Sequence, residues 1–182
     1  MLNCIGSFYF VDFCVKDLSQ REIEEALQKH KIVAVVGLSR DKTKPSYEVS
    51  EYMKNHGFRI VPINPFVDEV LGEKSYSSLL EIPTEIQSTI EIVNIFRRSE
   101  DVPPILEQAV KLKNAHGKPQ VIWMQLGIIN QQAAEKARRA GLLVVMDRCI
   151  MVEHKRLFIP NQSSSLCESK HERSQSRDGN YR

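Results

Sequence analysis

The amino-acid sequence predicts an α/β fold, a doubly wound sheet of about five mainly parallel strands with helices on both faces. Three observations predict it. Mostly unbroken apolar runs, rich in β-branched residues, recur along the chain, as strands buried on both faces require. Segments of helical period with readable ends lie between most of them. The resulting alternation of strand and helix is the pattern of a parallel sheet with right-handed crossovers.

The elements follow in order. Ser19-Gln20-Arg21-Glu22 is a capping-box pattern that opens a helix running to Lys29. Residues 32–37 form the first strand run and end in Gly37. Val49, Tyr52, Met53 and His56 then repeat at helical spacing from a start at Pro45, and Gly57 supplies the stop. The second strand run covers residues 59–64. Residues 66–89 carry Gly72, Pro83 and a short Leu79-Leu80 patch, which predicts a loop with a short helix or strand and no full crossover helix. The third run covers residues 90–96. An Asp101 cap should open the next helix, whose inner face is Ile105, Leu106, Ala109, Val110 and Leu112, with Gly117 as its end. In the fourth run, residues 120–125, Trp123 is expected in the core. Asn130 should cap a helix whose face of Ala133, Ala134, Ala137 and Ala140 lets it lie close to the sheet before Gly141. The fifth run covers residues 142–147.

A chain of 182 residues suits one domain, and 42% hydrophobic with 26% charged residues is enough for a packed core. We expect an N-terminal extension over residues 1–18, the folded domain over 19–160, and a polar, serine-rich disordered tail over 161–182. The net charge of +2 gives no field that would hold nucleic acid or an anionic membrane, so any anion must be caught locally. Cys4, Cys14, Cys149 and Cys167 show neither C-x-x-C spacing nor a disulfide framework, and a cytoplasmic location is expected. The apolar start lacks a basic flank, is interrupted by Asp12, and is too short to span a bilayer. It is expected to pack on the domain or to be an upstream start that adds little.

In a doubly wound sheet, ligands sit outside the carboxyl ends of the strands. The loop from Gly37 through Ser39, Arg40 and Lys44 to Pro45 and Ser46 has the build of a phosphate cradle. Gly37 permits a sharp exit and close backbone approach. Pro45 at the first helical position leaves Lys44 as the nominal cap, and lysine cannot accept from the free N–H groups, so these are open to an anion. From this loop alone, a charged surface loop is the competing reading. A nicotinamide site would need G-x-G-x-x-G and an acid after the second strand, where Asn64-Pro65 stands instead, and there is no G-x-x-x-x-G-K-[ST]. Arg97-Arg98 reaches the same rim, with Phe96 beside it to stack on a purine, although such a pair is also common as a solvated corner. His154 has no metal-ligand spacing and is expected to make a structural hydrogen bond; no metal is indicated. Cys149 lies past the fifth strand, where Arg148 would favour its thiolate. The alternative is a half-buried, unreactive cysteine.

The strings VAVVGLSRDKTKPSYEV, VPINP, EVLGEKSY, FRRSEDVP, IWMQLGI and VVMDRCIMVEH occur in that order. Together they resemble the stand-alone CoA-binding domain proteins, Rossmann-like relatives of the CoA-binding domain of succinyl-CoA synthetases and ADP-forming acyl-CoA synthetases. The resemblance covers about residues 20–158. It implies that Gly37, Ser39, Arg40, Lys44, Pro45 and Ser46 line a phosphate slot. It also implies that Asn64, Pro65, Phe96, Arg97 and Arg98 flank the nucleotide of coenzyme A, with Gln125 and Gly127 along the pantetheine. The ligase relatives pass a phosphate through a histidine on a further domain, which this chain is too short to include. The expectation is therefore a binder of coenzyme A or acyl-CoA, without catalysis of its own, serving as carrier, sensor or partner of an acyl-CoA enzyme. The alternative is a thiol enzyme acting on CoA disulfides through Cys149. A dinucleotide-binding regulator is disfavoured by the missing acid.

Overall fold

A computed structural model describes residues 18–159. The expected extension and tail therefore lie, but for Leu18, outside the described residues. In chain order the elements are α1 Gln20–Lys29, β1 Ile32–Val36, α2 Pro45–Asn55, β2 Arg59–Ile63, β3 Glu69–Val70, β4 Glu73–Lys74, α3 Thr84–Gln87 and β5 Ile92–Ile95. After them come α4 Val102–His116, β6 Val121–Met124, α5 Gln131–Arg139, β7 Leu143–Val145 and α6 Ile150–Phe158.

Five strands form one parallel sheet in the order β2-β1-β5-β6-β7, the doubly wound arrangement that the apolar runs predict. Side chains alternate across it. Val33, Val35, Ile60, Ile92, Trp123 and Val145 pack with Ile23, Leu27, Val49, Met53 and Ile150 of α1, α2 and α6. Ala34, Val36, Val61, Val93, Ile95 and Met124 pack on the other face with Leu106 and Ala109 of α4 and Ala133, Ala134 and Ala137 of α5. The sheet is thus covered on both sides, and this is why its strands read as continuous apolar runs. Pro62 is tolerated because β2 is an edge strand. The outer edge of β2 is itself covered: Tyr76 accepts from Asn64 N–H at 2.8 Å and donates to the Pro62 carbonyl at 3.0 Å.

Local signals account for most helix ends. The Ser19–Glu22 capping box is formed, with Ser19 N–H donating to Glu22 Oε2 at 2.7 Å. Asn130 Oδ1 accepts from Ala133 N–H at 2.9 Å, and Gly117 ends α4 in the left-handed conformation, φ 71°. Residues 66–89 hold the β3–β4 hairpin, a 3-10 turn and the single-turn α3. One expectation is corrected. Asp101 ends a 3-10 turn, Ser99–Asp101, and its carboxylate makes no cap; it faces Arg98 Nε at 3.4 Å. A cap needs N–H groups at the second or third helical position, and here Pro103 and Pro104 stand there with none to offer. Helix α6 is an addition. Its inner face carries the buried polar residues Glu153 and His154, which break the apolar period that would announce a helix. No helix among the described residues is long and apolar enough to cross a membrane.

Candidate functional site

The chain passes from β1 to β2 on one side and then returns to place β5 on the other side of β1. The strand order therefore reverses between β1 and β5, and a crevice opens at their carboxyl ends. Gly37 occupies that point with φ 88°, and its N–H donates to the Ile63 carbonyl at 2.8 Å. A Cβ there would stand 2.7 Å from the Phe96 carbonyl oxygen. Glycine is required both by the left-handed backbone and by the contact between the two strand exits.

The loop after Gly37 is held by its own polar side chains. Ser46 Oγ accepts from Ser39 N–H at 3.1 Å, and Ser39 Oγ accepts from Asp41 N–H at 3.1 Å. Each hydroxyl keeps its own O–H to donate, that of Ser46 from a buried position. Asp41 Oδ1 accepts from Thr43 N–H at 2.9 Å and from Thr43 Oγ1 at 2.8 Å. These bonds hold the Asp41 carboxyl below its usual range, with Lys44 adding to them against slight desolvation. Asn64 ties this loop to the β2 exit: its Nδ2 donates to the Leu38 carbonyl at 2.8 Å and its Oδ1 accepts from Phe66 N–H at 3.0 Å. Lys44 sits at the N-cap of α2 without a side-chain cap bond; Pro45 has no N–H, Tyr47 N–H donates to the Lys44 carbonyl at 3.0 Å, and among the described residues Ser46 N–H is the first-turn donor left without a partner.

The two arginines differ. Arg98 is exposed and pairs with Glu100 at 3.3 Å and Asp101 at 3.4 Å. Arg97 is half-buried beside Gly37 and has no ion pair or hydrogen bond among the described residues. It stands between two clefts. The smaller, about 310 Å³, is bordered by Ile63, Pro65, Ser77, Ser78 and Asp101. The larger, about 500 Å³, is bordered by Pro45, Val49, Phe96, Leu126, Ile128 and Cys149, together with Arg97, Arg98 and Gln125.

Gln125 is buried with its amide turned inward. Its Nε2 donates to Asn94 Oδ1 at 2.8 Å and its Oε1 accepts from Ile150 N–H at 3.3 Å. It thereby supplies α6 with the cap that Cys149 does not. Gly127, φ 79°, donates its N–H to Asp147 Oδ1 at 2.7 Å and so joins the β6 and β7 exits. Cys149 is a free, half-buried thiol on the wall of the larger cleft. The neighbouring Arg148 guanidinium lies 3.5 Å from Glu153, and the Arg148 carbonyl accepts from Trp123 Nε1 at 2.6 Å. Trp123 is fully buried in the core. His154 lies away from the rim, its Nδ1 at 3.0 Å from the Tyr52 hydroxyl. Burial, with His56 and Lys31 nearby, holds its pKa below the ordinary value. Among the described residues there is no His, Cys, Asp or Glu cluster able to hold a metal.

The structure therefore brings Pro45, Phe96, Arg97 and Arg98 to one cleft beside Gly37, with Ser39, Lys44 and Ser46 in the adjoining loop and Asn64 and Gln125 as internal supports. Sequence reasoning missed Asn94, Val49, Leu126 and Ile128. Asn94 is an isolated polar residue inside a strand run, and such a residue needs a buried partner. Leu126 is a large apolar residue in a glycine-containing turn, where solvent exposure is the rule.

Similarity to known proteins covers the stretch that builds this rim. The CoA binding domain family model matches residues 31–155. The uncharacterized protein YneT of Bacillus subtilis is 42% identical over 136 residues, covering 75% of this chain and 94% of YneT. An ADP-forming acetate–CoA ligase of Methanocaldococcus jannaschii is 35% identical over 82 residues, 44% of this chain but only 11% of the ligase. The solved structure of a hypothetical protein from Pyrococcus horikoshii OT3 matches with a TM-score of 0.69 at 37% identity, covering 77% of this chain and 92% of that one. With the family match spanning its sheet from β1 to α6, this chain belongs to the CoA-binding domain family.

Proposed function

We propose that this chain binds coenzyme A or an acyl-CoA. Its phosphates rest on loop 37–46, the start of α2 and Arg97, and the chain serves an acyl-CoA enzyme as carrier, sensor or accessory without chemistry of its own. The observation that carries this reading is the meeting of an unpaired, half-buried Arg97 with an uncapped helix start across Gly37. A free N–H at a positive helix end, here that of Ser46, favours an anion, and an arginine fork matches phosphate oxygens. The Asn64 amide at the β2 exit is spent on Leu38 and Phe66, so no acid awaits the ribose of a dinucleotide.

Calorimetric titration with CoA, acetyl-CoA, 3′-dephospho-CoA and NAD tests this. CoA is expected to bind and NAD to fail. Lys44→Ala and Arg97→Ala should each weaken CoA by about 10- to 100-fold, since a hydrogen bond to a charged group contributes about 1.5–3 kcal/mol. Correctly folded protein that binds no form of CoA refutes the reading.

A second reading is favoured by the position of Cys149 on the larger cleft. The Cys149 thiolate would attack one sulfur of a CoA disulfide, forming a protein–CoA mixed disulfide and releasing CoA thiolate. Intact mass after exposure to CoA disulfide should then rise by one CoA and return on reduction, with no adduct in Cys149→Ser. An unchanged wild-type mass rejects it.

A further inference from the structure

The rim changes character along the sheet. Strand order sets the exits side by side as β2, β1, β5, β6 and β7. A molecule laid across them meets Arg40, Lys42 and Lys44 after β1, then Arg97 and Arg98 after β5. Beyond these it meets Leu126, Ile128 and Ile129 after β6 and the Cys149 thiol after β7. One end of the rim is cationic and the other is apolar. Leu126 is 71% exposed, a large side chain left in water on a cleft whose other walls include Val49, Phe96 and Ile128.

Among the described residues, the polar side chains nearest Leu126 and Ile128 already have partners. Both polar atoms of the Gln125 amide are occupied, by Asn94 and by Ile150 N–H. Arg98 is paired with Glu100 and Asp101, and Arg148 with Glu153. The exposed carboxylate of Asp147 holds Gly127 N–H beside the Leu126 turn and would repel another acid. Burying an unpaired carboxylate there is costly, whereas methylenes gain by covering leucine and isoleucine.

From this gradient we infer that the ligand is the CoA thioester of an apolar monocarboxylic acid. Its pantetheine arm runs along Gln125 and Gly127, its acyl chain lies on the apolar wall of Leu126 and Ile128 beside them, and free CoA and carboxylated acyl-CoAs are the weaker ligands. This rests on the phosphate reading of loop 37–46 and Arg97. A fully buried methylene is worth about fourfold in affinity, from ~0.8 kcal/mol each. A chain in an open cleft buries roughly half of its surface, so four added methylenes should give on the order of tenfold.

The experiment is calorimetric titration of the full chain with CoA, acetyl-CoA, hexanoyl-CoA and succinyl-CoA, repeated with Leu126→Ser, an exposed position where substitution does not threaten folding. The expected result is hexanoyl-CoA about tenfold tighter than acetyl-CoA, succinyl-CoA weaker than either, and a hexanoyl-to-acetyl ratio reduced severalfold by Leu126→Ser. Measurable CoA binding with equal acetyl and hexanoyl affinities, or with succinyl-CoA as tight as hexanoyl-CoA, overturns the inference while leaving the phosphate site standing. Binding of none of the four overturns the phosphate site, and this inference with it.

Discussion

Replacing Gly37 by alanine tests the contact on which the crevice depends. Two costs add. The backbone at φ 88° places a Cβ in the left-handed region, about 1–2 kcal/mol for an L residue. That Cβ would also lie 2.7 Å from the Phe96 carbonyl oxygen and 3.3 Å from Arg97 Nε. The carbonyl cannot simply swing away. Phe96 N–H is bonded to the Val36 carbonyl and Gly37 N–H to the Ile63 carbonyl, both at 2.8 Å, so the obstruction presses on three strands together. Such overpacking costs about 1–3 kcal/mol. The sum, about 2–5 kcal/mol, should lower the thermal midpoint by on the order of 10 °C. Gly117→Ala is the control. Its φ is 71°, nothing lies within 4 Å of the added Cβ, and it sits at the opposite edge of the sheet. It should cost only the conformational part, about 1–2 kcal/mol. Circular dichroism melts of both variants read the stability difference, and a CoA titration reads the displacement of Arg97, expected for Gly37→Ala alone. Equal midpoints for the two variants would show that the close approach of β1 and β5 has no energetic weight.

Two further outcomes are expected. Gln125→Leu strands Asn94 Oδ1 and Ile150 N–H in the interior and should cost about 1–3 kcal/mol by denaturant unfolding. Adding Asn94→Leu should recover part of that loss, and an unchanged midpoint in the single variant would refute the assigned bonds. Stability should also fall with acid before the carboxylates titrate. His30 and His154 both have pKa values below the ordinary 6.5, burial being the largest cause in each. The unfolded chain takes up these protons first, so stability is full above 6.5, declines as the pH drops below it, and levels once the folded histidines are protonated. Urea midpoints from neutral to mildly acidic pH measure this, and His154→Gln should flatten the slope; a midpoint that rises toward acid contradicts it.

Much of the fold was legible because its signals are local. β-branched runs marked the strands, Ser19 with Glu22 and Asn130 marked helix starts, and Gly117 marked an end. Each acts within a few residues of itself. Two local signals misled. Asp101 looked like a cap until the two prolines after it removed the donors, and α6 was hidden because Glu153 and His154 occupy its inner face.

The sequence alone also identified which loops must reach the carboxyl edge of the strands, since chain direction and strand position decide that in any parallel sheet. What it left open was adjacency. Only the strand order brings Gly37 against Phe96, and only the fold separates Arg97, without a partner among the described residues, from Arg98, paired with Glu100 and Asp101. Residue type likewise said nothing of which way the Gln125 amide turns; Asn94, 31 positions away, decides it. The physical reason is common to all three. Strand and cap signals are set by the backbone nearby, whereas the environment of a side chain is set by segments far away in sequence that only folding brings into contact.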